Sequence, residues 1–82
     1  MGYVQKYRGT QAIGSGVDSV TVTGLALAAV PAQVLVSMRK ASGGLNIFAT
    51  VRDGTLTTDG FTVDLSTATD ATTYKLDYLA VL

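Results

Sequence analysis

The stretch that most constrains this chain runs from Gln33 to Asp53 and reads QVLVSMRKASGGLNIFATVRD. It contains two apolar-rich runs in which residues of like polarity recur at every second position. That period is typical of a half-buried β-strand, because side chains two residues apart lie on the same side of a strand. Gly43-Gly44, between the runs, supplies the positive φ that tight hairpin turns need. The stretch therefore predicts a β-hairpin, with strands over 33–39 and 45–52, at the centre of an all-β domain.

One large apolar side chain lies on the otherwise polar face of each of these strands, Leu35 in the first and Phe48 in the second. A second layer or another subunit would cover such a face. Alternatively, the two are isolated exposed apolar residues, which are common on soluble proteins. The sequence leaves both interpretations open.

The rest of the chain contributes further alternating segments that are separated by turn signals. They are Gly2–Arg8, Val17–Thr23, a strand within Thr55–Ser66, and Thr73–Leu82, with loops at Gly9–Gly16 and Thr67–Thr72 and an extended piece or single turn at Leu25–Val30. About six strands at roughly ten-residue spacing are typical of an antiparallel β-sandwich or small barrel. We therefore expect one all-β domain over 1–82, in which 1–12 form an N-terminal arm or an edge strand.

Two of these segments indicate how the strands pack. Thr73–Leu82 is apolar on both faces in its second half, where Leu79 and Val81 alternate with Tyr78 and Ala80. A strand with that pattern is central in its sheet or buried against a neighbour. Gly60, ahead of Phe61, indicates a bulge or a close approach of another backbone.

The residue types argue against an enzyme. The chain has no His, no Cys and no Glu, which removes the Ser-His and Cys-His pairs and the usual zinc ligand sets. Asp53 and Asp59 flank a loop and could approach each other, although turn capping and solubility are the ordinary roles of such residues. Arg39-Lys40 and Arg52 either bind an anionic or sugar group or are solvated charges at strand edges. The sequence predicts no catalytic, cofactor-binding or metal-binding residues.

Composition also bounds the partners. The chain of 82 residues has a formal net charge of zero, 15% charged residues and 48% hydrophobic residues. Without a basic block it is not expected to bind nucleic acid, and no apolar run approaches the ~18–20 residues of a membrane span. A short chain with surplus apolar surface is typical of a homo-oligomer subunit, because its own core is small.

Three segments of the chain resemble a known class of modules. SVTVTGLALAAVPAQVLVSMRK, followed by DGFTVDL and a closing YKLDYLAVL, resembles the small β-sandwich modules of phage virion proteins. The H-type lectin fold is similar, with a P-x-V-x-V-S strand, a GF-x-V strand and a last strand ending in aromatic-x-Ala. Pro31–Ser37 matches the first with one residue more between Pro and Val, and Gly60–Val63 and Tyr78–Ala80 match the others. The likeness covers residues 17–82.

The resemblance implies a structural component of a virion, of the capsid decoration (cement) or tail-fibre type, that associates with itself, as a trimer, and with other virion proteins. It also implies an alternative, a receptor-binding module that binds a host-surface glycan through loop residues near Asp53–Asp59 and Tyr74. The Trp common in the last strand of the lectins is Tyr78 here, and no sugar-binding residue is carried over. Self-association would be driven by apolar faces such as Leu79/Val81 and Leu35/Phe48.

Overall fold

A computed structural model of the chain describes residues 6–40 and 43–82. Within them the protein is all-β, with six antiparallel strands in two three-stranded sheets and no helix. The strands are β1 (Lys6–Ala12), β2 (Ser19–Val22), β3 (Gln33–Arg39), β4 (Ala49–Val51), β5 (Phe61–Leu65) and β6 (Lys75–Val81). The predicted class, a small antiparallel β-sandwich of about six strands, is confirmed.

The chain passes back and forth between the two sheets, so that most pairing strands are far apart in sequence. Sheet A has the order β1-β6-β3, and sheet B has the order β2-β5-β4. The first strand therefore pairs with the last, the second pairs with the fifth, and β3 lies beside β4 at the corner where the sheets meet. The chain thus places its first and last strands in one sheet and its second and fifth strands in the other.

The predicted central hairpin is wrong. β3 pairs along its whole length with β6, and β4 pairs with β5, so the two strands lie in different sheets. The Leu45–Phe48 run is not a strand. Leu45 N donates to the Tyr74 hydroxyl, and only Phe48, next to β4, bonds to the segment after β5, where Phe48 N donates to Ser66 Oγ and Ser66 N donates to Phe48 O. The run instead crosses from one sheet to the other. Gly43 has the predicted positive φ, 83°, while Ala41 and Ser42 lie outside the described residues.

The N-terminal strand also differs from its prediction. The first strand was expected over Gly2–Arg8 with a loop from Gly9, but β1 runs through the expected loop to Ala12 as an edge of sheet A. Gly9 is accommodated because the ring of Tyr78 lies over it; a Cβ at Gly9 would be 2.4 Å from the Tyr78 hydroxyl oxygen. Because glycine has no side chain, it leaves room for the Tyr78 ring, which a second side chain at position 9 would displace. Residues 1–5, which include Tyr3, lie outside the described part.

The core lies between the sheets and is built from every second residue of the strands. Val20 and Val22 of β2 are buried while Thr21 and Thr23 are exposed, as predicted. Its other buried members are Ile13, Ile47, Phe61, Val63, Leu65, Tyr74 and Leu76. The rings of Phe61 and Tyr78 meet edge to face across the two sheets, with centroids 5.4 Å apart at 75°, a favoured aromatic geometry.

The approach predicted at Gly60 is present. A Cβ there would lie 1.6 Å from the carbonyl oxygen of Val22, so the chain before β5 touches the backbone at the end of β2. The contact is flanked by hydrogen bonds from Leu25 N to Asp59 O, 2.9 Å, and from Gly24 N to Asp59 Oδ1, 3.0 Å. Gly60 therefore lets the β2 end and the β5 start lie together.

Candidate functional site

The outer face of sheet A brings together apolar side chains that do not belong to the core. It is defined here by the residues of β1, β3 and β6 that alternate with the core residues. Its members are Lys6, Arg8, Thr10, Ala12, Gln33, Leu35, Ser37, Arg39, Lys75, Asp77, Leu79 and Val81, placed on one side by the pairing register. Such a set exists because β6 is the central strand of its sheet, as its apolar second half predicted.

The apolar part of this face is a stripe on the adjacent strands β3 and β6. Leu35 of β3 lies directly opposite Leu79 of β6, and Val81 follows one position along the same side. Leu35 is 50% exposed, and the other two are partly exposed. A shallow concavity of about 530 Å³ is lined by Leu35 and Leu79 together with Lys6 and Arg8 of β1. An apolar floor with a cationic rim suits contact with a protein surface better than enclosure of a small ligand.

Asp77 organises the polar half of the same face. Its carboxylate accepts a hydrogen bond from Thr10 Oγ1 at 2.7 Å and forms an ion pair with Arg39, Nε to Oδ2 2.6 Å. The Thr10 hydrogen bond and the Arg39 guanidinium lower the pKa of Asp77 below its ordinary value, although partial burial opposes the shift. Since these partners lie on the two neighbouring strands, Asp77 ties β1, β6 and β3 together at the surface.

A second surface lies at the corner between β3 and the crossing segment. There Val36 and Met38 of β3 face Leu45 and Phe48 across a cleft of about 610 Å³. Phe48 is 76% exposed, and Lys40 closes one end by donating to Asn46 Oδ1 at 2.5 Å and Gly44 O at 3.1 Å. The sequence paired Leu35 with Phe48 on one face, but the structure separates them, since only Leu35 lies on the outer face of sheet A.

Tyr74 is not available to a sugar. The sequence offered it as part of a glycan site, but its side chain is 1% exposed and belongs to the core. Its hydroxyl donates to Asp70 Oδ1 at 2.6 Å and accepts a hydrogen bond from Leu45 N at 2.6 Å. The bond to Asp70 raises the pKa of the Tyr74 hydroxyl. Tyr74 therefore binds the start of the crossing segment through Leu45 N, and its ring is not exposed for a sugar to stack on. Tyr7, on β1, is 38% exposed.

The predicted aspartates and arginines have structural partners or lie in turns. Asp53 begins a turn with Gly54, whose φ is 82°, and Asp59 accepts its bond from Gly24 N. Arg52 makes two hydrogen bonds to Asp64, one of them from Nε to Oδ2 at 2.9 Å, and this pairing lowers the pKa of Asp64. The guanidinium of Arg39, which was predicted as a possible anion-binding group, is paired with the Asp77 carboxylate. Arg39, Arg52 and Asp59 therefore have partners within the fold.

Across residues 6–40 and 43–82 there is no cluster of three or more His, Cys, Asp or Glu side chains that could hold a metal ion. The described part of the chain also contains no helix long and apolar enough to cross a membrane.

One structural residue gave no sequence signal. Thr69, in the predicted polar loop, is 3% exposed; its hydroxyl donates to Gly14 O at 2.5 Å and accepts from Val17 N at 3.3 Å. Its backbone also bonds to Gly16 and Val17. Nothing in a run of Thr and Ala distinguishes the one threonine that is buried, so only the fold identifies it.

Comparison of the chain with protein-family models, with curated proteins and with solved structures finds no match. The fold therefore defines the class, a small antiparallel β-sandwich, and the surface of sheet A defines the candidate site.

Proposed function

We propose that this chain is a non-enzymatic structural protein of a virion, an oligomeric component of the capsid decoration or tail-fibre type. The observation that supports it best is the apolar stripe on the outer face of sheet A. Leu35 and Leu79 lie opposite each other on a sheet face that no other element of the described chain covers. Contact with a second copy would remove this stripe from water, and removal of apolar surface from water is the dominant favourable contribution to most protein–protein association.

The residue types support a building block rather than an enzyme. Without His, Cys and Glu, an active site would have to use aspartates, and those of this chain serve as ion-pair partners or lie at turns. The virion assignment comes from the sequence resemblance over residues 17–82. Between the two functions that the resemblance implies, the burial of Tyr74 favours the structural one over glycan binding.

The test is an inventory of purified particles. Virions released by the host that carries the gene are purified to constant density, and their proteins are counted by quantitative mass spectrometry. We expect peptides of this chain at a copy number that is a fixed multiple of a symmetric site. Immunogold labelling then assigns that site to the capsid or to the tail. A chain that is abundant in host cells but absent from the particles would overturn the proposal.

A further inference from the structure

The two sheets divide the charged side chains of this protein by sign. All twelve charged residues lie within the described segments. The strands of sheet A contain four basic residues and one acidic residue, a formal charge of +3; they are Lys6, Arg8, Arg39, Lys75 and Asp77. The pairing register places all five on the outer face, since Lys6 lies opposite Val81, Arg8 opposite Leu79 and Arg39 opposite Lys75.

Sheet B has the opposite balance. Its strands and the turns that begin or end them contain four acidic residues and one basic residue, a formal charge of −3; they are Asp18, Asp53, Asp59, Asp64 and Arg52. The remaining two charged residues, Lys40 and Asp70, lie in connections and cancel. A chain whose net charge is zero is thus basic on the outer face of sheet A and acidic around sheet B.

Internal ion pairs leave this separation intact. On sheet A, Asp77 pairs with Arg39, and no carboxylate of the described chain lies within ion-pair distance of Lys6, Arg8 or Lys75. On sheet B, Arg52 pairs with Asp64, which leaves Asp18, Asp53 and Asp59 without an ion pair in the same residues. Sheet A thus has three cations, and the strand ends of sheet B have three carboxylates, that no internal ion pair of the described chain neutralises.

We propose that copies of this chain associate head to tail, with the outer face of sheet A against the carboxylates at the strand ends of sheet B of the next copy. This inference rests on the proposed function, because it names a second copy as the partner that covers the stripe of Leu35 and Leu79. Complementary charges align such surfaces and suppress wrong pairings. The opposite arrangement, sheet A against sheet A, would bring two faces of charge +3 together.

The sheet A face is small for a single contact between two copies. Seven residues at ~3.3 Å rise and three strands ~4.8 Å apart give it a plan area of about 300 Å², whereas a stable complex uses about 800 Å² of accessible surface from each partner. In a head-to-tail assembly every copy makes two such contacts through different surfaces, and the contact repeats into a ring if the rotation closes or a fibre if it does not.

Charge reversal on each side tests the proposal. Sheet A is reversed by Lys6→Glu with Arg8→Glu, and sheet B by Asp18→Lys with Asp53→Lys; Lys40→Glu is the control that alters charge outside both surfaces. Circular dichroism first establishes that each variant is folded. Sedimentation equilibrium then measures the mass of each protein, and of the two reversed variants mixed, at several salt concentrations.

We expect the wild type to associate and each reversed variant to associate at least about tenfold more weakly. Their mixture should regain association, because one variant keeps the native sheet A face and the other keeps the native sheet B side. Lys40→Glu should behave as wild type. Association should also weaken as salt shortens the Debye length from ~10 Å at 0.1 M to ~3 Å at 1 M.

The contrary outcomes separate this inference from the proposed function. If only the sheet A variant loses association, sheet A pairs with itself and the head-to-tail arrangement is wrong. If both variants keep the wild-type mass, or their mixture stays dissociated, the charged surfaces do not meet, although an oligomeric virion protein remains. A wild type that stays monomeric at every concentration would remove the head-to-tail contact, whereas the particle inventory would still decide the virion assignment.

Discussion

Replacing Gly60 with alanine should destabilise this protein more than any other single-methyl addition at a glycine of the described loops. The added Cβ would be placed 1.6 Å from the Val22 carbonyl oxygen, 2.6 Å from the Val22 carbonyl carbon and 3.1 Å from Thr23 Cα. All three are backbone atoms, so no side chain can rotate away. The two segments must separate by about 1.8 Å before an ordinary van der Waals contact distance of 3.4 Å is reached.

The magnitude follows from what that separation breaks. Two hydrogen bonds join the same segments, from Leu25 N to Asp59 O and from Gly24 N to Asp59 Oδ1, and each contributes about 1 kcal/mol. Overpacking of the contact adds about 1–3 kcal/mol. We therefore expect Gly60→Ala to lower the free energy of unfolding by about 3–5 kcal/mol, a large part of the roughly 4–12 kcal/mol typical of a chain of this length.

Urea unfolding followed by circular dichroism measures this change, provided that wild type and variant are compared at the same protein concentration. Gly14→Ala is the matched control, because nothing lies within 4 Å of a Cβ there and its φ is not in the left-handed region. The control should be neutral or more stable by up to about 1 kcal/mol. If Gly60→Ala unfolds within about 0.5 kcal/mol of wild type, the close approach at β2 is wrong.

Three further predictions concern buried hydroxyls and acid stability. Thr69→Val keeps the shape of the side chain but removes the hydrogen-bond partner of Gly14 O and Val17 N. It should lower the free energy of unfolding, measured in urea, by about 2 kcal/mol, whereas Thr69→Ser, which keeps the hydroxyl, should lower it by less. Tyr74→Phe, which removes the acceptor of Leu45 N, should speed hydrogen exchange of that amide, and unchanged exchange would contradict the assignment. The pKa of Asp77 is lowered in the folded protein, so its contribution to stability is present above the ordinary Asp pKa of about 3.9 and is lost as pH falls through the lowered value. Asp77→Asn should therefore make unfolding less sensitive to acid, and an unaltered pH profile would show that the carboxylate has no such role.

The alternating pattern predicted most of the strands, because a strand that is buried on one face needs an apolar residue at every second position. Val20 and Val22, and Phe61, Val63 and Leu65, point into the core as expected. The central position of β6 in sheet A could likewise be predicted, since a strand that is apolar on both faces in its second half is favoured away from a sheet edge. Gly60 was identified for the same kind of local reason: a glycine beside a strand indicates a close backbone.

Pairing could not be predicted in the same way. The sequence supports a hairpin between 33–39 and 45–52 because both runs alternate around a Gly-Gly turn, and a local turn is the simplest partner choice. The choice is made instead by long-range ladders, β3 with β6 and β4 with β5, which depend on residues about 40 and 14 positions away. The same non-local geometry buries Tyr74 and separates Phe48 from Leu35, so the composition of the candidate surface followed from the fold and not from the pattern.

The central claim is that another copy of this chain covers the outer face of sheet A. Hydroxyl-radical footprinting with mass spectrometry measures the solvent exposure of Leu35 on that face. Val30, which is 56% exposed and lies outside both proposed surfaces, is the internal reference. Across a rising series of micromolar concentrations, oxidation of Leu35 should fall relative to oxidation of Val30. A ratio that stays constant over the whole series would mean that Leu35 remains in water and that the account is wrong.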